Sequence, residues 1–347
     1  MSTKKTGFED SLLSEVIKPK KCTSCGACIR TCPLTALKLI NNEPKLVKEC
    51  KACGMCTQVC PQYNFQMANA EEYVFGRKRT PEEEFGVFRR ITIARAKPTD
   101  IQNACQDGGA ATAMLIAALQ NGLINGAVVA AKSSETPFLP IPIIATTPKQ
   151  IIESAGTKYT CASSILALPK ESKQKNLILA FVGTPCQIHA LRKMQMNNIT
   201  RLTASVKYLM GLMCSECFDY HGLMEKHIKG KLGINTSEIT KMNIKGKMLV
   251  TTSSGVFAIP LAEVKPYVRL NCGFCEDFSS ELADVSVGGI GLDGWTLVII
   301  RTEKGEELLR NAEKSGFLET RQLEQDSLSE RLLLKFSKKK RAATTNM

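Results

Sequence analysis

CTSCGACIRTCP, residues 22–33, and CKACGMCTQVCP, residues 50–61, carry one run, C-x2-C-x2-C-x3-C-P, displaced by 28 positions. Eight cysteines thus stand in two identically spaced sets, each closed by a proline. This is the bacterial-type iron–sulfur run, in which three cysteines of a tight loop serve one four-iron cluster and the fourth serves the other. Gly26 and Gly54 give each loop the turn that wraps three sulfurs round one corner of a cube. The spacing assigns Cys22, Cys25, Cys28 and Cys60 to one cluster, and Cys50, Cys53, Cys56 and Cys32 to the other. Structural zinc competes with this reading, but zinc sites favour cysteine pairs, and two triples each with a distant fourth give a poor tetrahedral count. Between the runs, ALKLINNEPKLVKEC (36–50) reads as two short strands joined at Asn41 and Asn42.

The 347-residue chain is 44% apolar, enough for this small domain and one or two larger lobes with cores of their own. Fifteen cysteines, many grouped as CxxC, argue for metal rather than disulfides and so for a reducing cytoplasm. The N-terminal MSTKKTGFEDSLLSEV has no apolar signal core, and the longest apolar run, GGAATAMLIAAL (108–119), is too short to cross a bilayer. The expectation is a cytoplasmic protein, at most peripheral on the membrane face through a partner complex. The formal charge is +13; three oxidised four-iron clusters at about −2 each would lower it to about +7. The remaining basic surface is either a solvated lysine-rich face or the complement of an acidic ligand or partner. Nucleic acid is disfavoured, because the basic residues are spread out and the dense run SKKKR (337–341) falls in a stretch, 331–347, that reads as a disordered basic tail.

After the ferredoxin-like unit (1–63), residues 64–90 are charged, lack a sustained apolar period and read as a linker with one short helix. Strand and helix then alternate. ITIARAK is a strand, GGAATAMLIAALQNG a helix ending at Gly122, and INGAVVAAK a strand. IPIIATT leads into TPKQIIESAG, where Thr147 and Pro148 suit N-cap and N1; NLILAFVG is a buried strand that turns through TPC into the helix QIHALRKMQM. From about residue 240 the pattern changes to a hairpin (KMLVTTSSGVFAIP), the strands ADVSVGGI and WTLVIIRT, and the helix KGEELLRNAEKSG, one continuation packed on the preceding layer. The fold class is α+β: a two-cluster ferredoxin-like domain followed by an α/β domain with a mixed sheet over residues 91–330.

Seven further cysteines remain. The pairs 214/217 and 272/275, with Cys186 at a strand-to-helix turn, can supply four ligands to a third centre, whereas Cys105 and Cys161 read as free buried thiols. Cys186 has a rival reading as a reactive thiolate at a helix N-terminus, paired with His189 at i+3; two CxxC units elsewhere make ligation the simpler account. Gly289, Gly291 and Gly294 spell G-x-G-x-x-G after a strand, but WTLVII follows rather than a helix, so the dinucleotide fingerprint fails its context. In QDGGAATAMLIAAL, Gln106, Asp107, Gly108 and Gly109 precede a helix, where free amides can meet an anion or a flavin's polar edge, or Asp107 is an ordinary cap. GTKYT (156–160) offers a lysine and an aromatic ring on a glycine turn, or a helix C-cap at Gly156.

The ordered blocks QDGGA, GTKY, VGTPCQI, an LxC at Cys214, CGFCEDF and ADVSVGGIGLDGWTLVIIRTEKGEEL closely resemble the coenzyme F420 hydrogenase/dehydrogenase beta-subunit family over about residues 91–315, with the ferredoxin unit fused in front as in electron-input subunits of reduced-F420 dehydrogenases. The resemblance implies a flavoprotein holding FAD near Gln106, Asp107, Gly108, Gly109, Thr157, Lys158 and Tyr159. It also implies a third four-iron cluster on Cys186, Cys214, Cys272 and Cys275, with Cys217 left over as a departure from the pattern. The implied activity is hydride exchange between reduced coenzyme F420 and FAD, then single-electron transfer through the clusters to a membrane quinone-type dehydrogenase, hydrogenase, ferredoxin or reductase. A flavin-free electron relay and a related flavin/iron–sulfur reductase of another substrate are the competing expectations.

Overall fold

The eight ligand-spaced cysteines fall in a unit with its own core. The computed structural model describes residues 6–170 and 176–345, so the outermost residues of the first and last expected segments lie outside it. The helical segment Glu9–Ile17 sets Leu12, Val16 and Ile17, with Phe8 before them, against Cys28, Leu37 and Cys56. Helix α1 (Ala27–Thr31) starts after Gly26, whose φ of 86° favours glycine. Strands β1 (Leu37–Ile40) and β2 (Glu43–Leu46) pair antiparallel, Ile40 opposite Glu43, and Asn41 and Asn42 both take positive φ, the two-residue turn that the Asn-Asn pair predicts.

Residues 64–90, expected to be a linker, are packed instead. Helix α2 (Met67–Phe75) buries Glu71, which pairs with Arg79 at 3.0 Å, and Arg79 in turn meets Glu281 at 2.6 Å. A charged stretch reads as solvated until its partners are known, and one of these partners lies 202 residues away.

Strand β3 (Arg90–Ala96), helices α3 (Thr99–Ala104) and α4 (Ala110–Gln120), strands β4 (Gly126–Lys132) and β5 (Pro140–Ala145), and helix α5 (Pro148–Glu153) begin the larger domain. Strand β6 (Leu179–Gly183), helices α6 (Pro185–Met196) and α7 (Thr200–Thr203), and strand β7 (Val206–Leu212) follow. Thr147 caps α5, accepting from Gln150 N at 3.3 Å with Pro148 at N1, as expected. Strand β7 is not marked by the sequence pattern although it is central to the sheet. The chain then leaves for an insertion made of the helical segment His221–Lys231, strands β8 (Lys241–Ile244), β9 (Lys247–Thr252) and β10 (Gly255–Pro260), and helix α8 (Leu261–Val264). It returns as β11 (Val285–Gly288), β12 (Thr296–Ile300), α9 (Glu303–Lys314), β13 (Leu318–Arg321) and α10 (Leu328–Thr345).

The main sheet has the order β13-β3-β12-β11-β7-β6-β4-β5. Strands β11, β7, β6 and β4 are parallel neighbours, and antiparallel pairs flank them on both sides, so the sheet is mixed as expected. Alternation assigns its faces: Ala127 and Val129 pack with α4 and α9, while Val128 packs with α6. The α6 face also takes in Cys25, Ala27 and Val59, so the ferredoxin unit and the sheet share one core.

Two expectations are corrected. The hairpin after residue 240 is not a layer on the main sheet but a separate three-stranded sheet, order β10-β9-β8, with a core of Phe218, Leu223, Met224, Ile228, Met242 and Val250. Nor is 331–347 a disordered tail within the described residues: α10 carries it, because Leu333, Leu332 and Phe336 find apolar partners in Phe278, Ile290 and Leu297. Among the described residues no helix is long and apolar enough to cross a membrane.

Helix α9 depends on Gly305, where a Cβ would stand 2.0 Å from the Asp284 carbonyl oxygen. Gly305→Ala is expected to lower stability by about 1–3 kcal/mol through overpacking, read as a lower urea midpoint at unchanged iron content; an unchanged midpoint would refute this packing argument.

Candidate functional site

Cys22, Cys25, Cys28 and Cys60 line one space of about 360 Å³, and Cys32, Cys50, Cys53 and Cys56 line another of about 380 Å³. The chain therefore brings together the two crossed quartets that the spacing assigns. Among the described residues no three ligating side chains close on a single metal ion; four thiols round a space of this size are the donor set of a larger iron–sulfur core. The donors fit one. Burial pushes the Cys56 thiol up to about 11 and Cys60 to about 12, so bound iron would displace protons that water alone does not remove.

A third group forms outside the carboxyl ends of the parallel strands, where open α/β sheets place their ligands. Cys186 opens α6 after β6, and Cys214 follows β7 with its N–H bonded to Phe278 O at 2.9 Å. Cys272 and Cys275 come from the turn Leu270–Phe274. Burial pushes Cys186 up to about 12, and the nearby Cys275 and Cys272 add to it; Cys214 is raised by burial and by Cys272, Cys186 and Cys275. The four carried-over cysteines are thus one group. Cys217 borders it differently: its N–H donates to Cys272 Sγ at 3.3 Å and its thiol to Phe218 O at 3.9 Å, and the nearby Cys217 thiol shifts Cys161 down. His189 does not pair with Cys186. Its Nε2 meets Asp277 Oδ2 at 2.9 Å and its ring stacks on Phe65 at 5.1 Å; the Cys186 thiol meets Thr184 Oγ1 at 3.3 Å.

Three cations that sequence reasoning missed surround these groups. Arg269 donates to Cys22 O, Thr23 O and Ser24 Oγ. Lys193 donates to Thr57 O at 3.0 Å, Cys60 O at 2.9 Å and Tyr63 O. Lys340 of α10 donates to Cys272 O at 3.2 Å. No local pattern marks them, since each is a basic residue amid ordinary helix or loop sequence.

The two remaining predicted blocks also meet. Gln106 Oε1 accepts from Thr157 N at 3.3 Å and its Nε2 donates to Met242 O at 2.8 Å, joining QDGG, GTKY and the insertion. Gly108 has a packing reason to be glycine, for a Cβ would lie 2.5 Å from Ala94 O and Thr296 N; Gly109 takes φ 75°. Asp107 lies over Gly289, where no side chain would fit, and burial raises its carboxyl against the pull of Lys245 and Lys241. Lys158 is placed otherwise than as a free phosphate contact: its ammonium caps α5 at Ser154 O and Ala155 O, and burial and Lys132 lower it to about 7. The Tyr159 hydroxyl accepts from Ile244 N at 3.0 Å, and burial raises it, helped by the charges of Asp107 and Cys214. Lys132 and Lys241 add positive charge beside these loops, while Lys245 is paired with Asp293. The loop Gly289–Gly294 joins antiparallel β11 and β12, so it is a hairpin connection and no helix follows it.

A dicluster ferredoxin unit sharing a core with a mixed-sheet domain that gathers a further cysteine group describes an iron–sulfur oxidoreductase. The "4Fe-4S dicluster domain" family matches residues 14–61. "Coenzyme F420 hydrogenase/dehydrogenase, beta subunit N-term" matches residues 91–169, and the corresponding C-terminus family matches 178–326. The chain belongs to the coenzyme F420 hydrogenase/dehydrogenase beta-subunit family and is an enzyme of that family. It is 38% identical to the coenzyme F420 hydrogenase subunit beta of Methanothermobacter thermautotrophicus, over 74% of this chain and 92% of that protein. It is 32% identical to an F(420)H(2) dehydrogenase component of Methanosarcina mazei, over 85% of this chain and 83% of that one. A chain of the F420-reducing [NiFe] hydrogenase complex from Methanosarcina barkeri superposes with a TM-score of 0.72 at 32% identity, covering 77% of this chain and 94% of that chain.

The Cys217 thiol already donates to Phe218 O, so Cys217→Ser is expected to keep the iron content of anaerobically purified protein, whereas Cys275→Ser should lose about four atoms, one cluster's worth. Loss of iron in the Cys217 variant would show that the ligand at that corner is misassigned.

Proposed function

We propose that the protein exchanges a hydride with coenzyme F420 and delivers the two electrons singly to a partner redox protein or complex. FAD is the cofactor that would link the two kinds of transfer, since a deazaflavin exchanges hydride only and an iron–sulfur cluster takes one electron at a time. The observation that carries this reading is that the titratable groups act on one another by charge from the QDGG and GTKY loops to the surface. On top of burial, Asp107 and Cys214 both raise the Tyr159 hydroxyl; Cys186 raises Cys214 and Cys25; Cys56 of the next quartet raises Cys28; and that quartet includes Cys53, the one exposed cysteine of the fifteen.

The chain's own contribution is placement and exclusion of water. Gln106, Asp107, Gly108, Gly109, Thr157 and Tyr159 would hold the FAD, Lys158 would fix the turn that presents Thr157 and Tyr159, and Lys132 and Lys241 would favour its phosphates. Cys186, Cys214, Cys272 and Cys275 would hold the third four-iron cluster beside it. The exposed edge at Cys53 would face the partner. Relatives named as parts of a hydrogenase and a dehydrogenase support a place within a multisubunit redox complex.

Anaerobic protein is expected to contain about twelve irons and FAD identified by chromatography after heat release. Reduced F420 should bleach the bound flavin rapidly, with little bleaching by NADH or NADPH, because the glycine loop before β12 offers no helix N-terminus to a pyrophosphate. Rising salt should slow the productive reaction by screening the basic surroundings. Bleaching by NADH but not by reduced F420 would overturn the assignment, and absence of flavin after reconstitution would favour the relay.

A further inference from the structure

Helix α10 starts at Leu328, beyond residue 326 where the family match ends, yet it closes over the third cysteine group. Leu333 is fully buried, and Phe336 packs on Phe278 with centroids 5.2 Å apart. At Gly291, whose φ is 65°, a Cβ would touch Leu332 and Leu328, so the helix rests directly on the glycine loop. Arg341 joins Glu281 at 2.6 Å and so fixes the helix's rotation. That rotation turns Lys340 inward.

Lys340 is 9% exposed and its ammonium donates to the Cys272 carbonyl. Among the described residues it makes no ion pair with a carboxylate. The ionisable groups whose charge it feels most are the thiols of Cys275, Cys214, Cys272 and Cys186. A buried ammonium with one neutral acceptor is costly, whereas the same ammonium beside a four-iron cluster with four thiolates, at about −2, is compensated.

We propose that α10 is a lid on the third cluster and that Lys340 supplies a fixed positive charge that favours the cluster's reduced state. The proposal rests on the third-cluster reading. Adding an electron makes the cluster more negative, and a cation held nearby away from water stabilises that form more than the oxidised one. Arg269, which also holds the ferredoxin loop, and Lys340 of α10 both act on these thiols, and a basic run of sequence that looks solvated becomes part of the redox site.

The test is an EPR-monitored redox titration of intact, iron-loaded wild type, Lys340→Gln and Lys340→Arg, with the third cluster's signal identified as the one lost in Cys275→Ser. Glutamine keeps a donor for the Cys272 carbonyl and removes the charge; arginine keeps the charge. The Gln variant is expected to disfavour reduction of the third cluster about three- to tenfold, tenfold being about 59 mV for one electron. The two ferredoxin clusters should stay in place and the Arg variant should recover most of the shift. An unmoved midpoint in the Gln variant, an Arg variant no better than Gln, or equal shifts of all three clusters would overturn the proposal. Loss of about four irons in the Gln variant would make Lys340 a structural closure and overturn its role as a charge. A wild type holding only about eight irons would instead remove the third cluster itself.

Discussion

Two cations of the larger domain, Arg269 and Lys193, close on the carbonyl ends of the ferredoxin ligand loops, and the relation between the cysteine groups depends on them. Electron transfer between buried centres falls steeply with distance, so the cysteine groups must be held close and still. The carbonyls of Cys22, Thr23, Thr57, Cys60 and Tyr63 lie at loop ends, without helical partners of their own. Arg269 and Lys193 satisfy them, and Ser163 Oγ adds a bond to Ser24 O at 2.6 Å. Where the loop crosses Leu166, Gly26 leaves no room for a Cβ, which would fall 2.6 Å from the leucine Cγ. The same cations answer a second need, because closely spaced clusters of about −2 each repel one another unless positive charge is interleaved.

The mixed sheet does the rest of the positioning. Parallel strands present their carboxyl ends on one edge, and the loops leaving β4, β6, β7 and β11 there deliver Lys132, Cys186, Cys214 and Gly289. Residues from four separate stretches of sequence become neighbours because the strands that carry them share a direction. The inserted three-stranded sheet then closes the edge from above. Met242 O, Ile244 N and the ammonium of Lys241 reach Gln106, Tyr159 and Cys105. These loops are therefore pinned from two sides, by packing of Gly108 against β3 and β12 and by hydrogen bonds from β8.

What is legible in the sequence follows from how local each signal is. Cysteine spacing, the Asn41–Asn42 turn, the Thr147–Pro148 cap and the failure of the glycine motif to enter a helix are written within a few residues, and the structure carries each of them. The charged segments mislead for the opposite reason. Glu71, Arg79, Glu281 and Arg341 form one buried network drawn from residues 71–341, and each member taken alone looks like a solvated surface residue. Lysines 193 and 340 are similar: in sequence they belong to RK and KKK runs, and only the helix rotation set by apolar neighbours decides which lysine turns inward. Strand β7 is hidden because VKYLMGLMC has no turn signal before its cysteine, although four of its residues are buried in sequence.

Cys217 shows how a residue can matter at a metal group without belonging to it. The backbone pairing of Thr160 with Phe218 brings the segments of Cys161 and Cys217 side by side, while the Cys217 thiol donates to Phe218 O and the Cys161 thiol to Thr23 O. That leaves the Cys217 amide free to donate to Cys272 Sγ. An N–H bond to a ligand sulfur withdraws negative charge from it and eases reduction of the cluster it holds. The amide of Cys217, the guanidinium of Arg269 and the ammonium of Lys340 are donors held close to this cysteine group. The quartet containing Cys53, by contrast, reaches the surface, since Cys53 is exposed. The sequence repeats one cysteine run twice, yet the fold makes the two resulting quartets unequal: Cys25 and Cys28 of the first are buried, whereas Cys53 of the second is exposed.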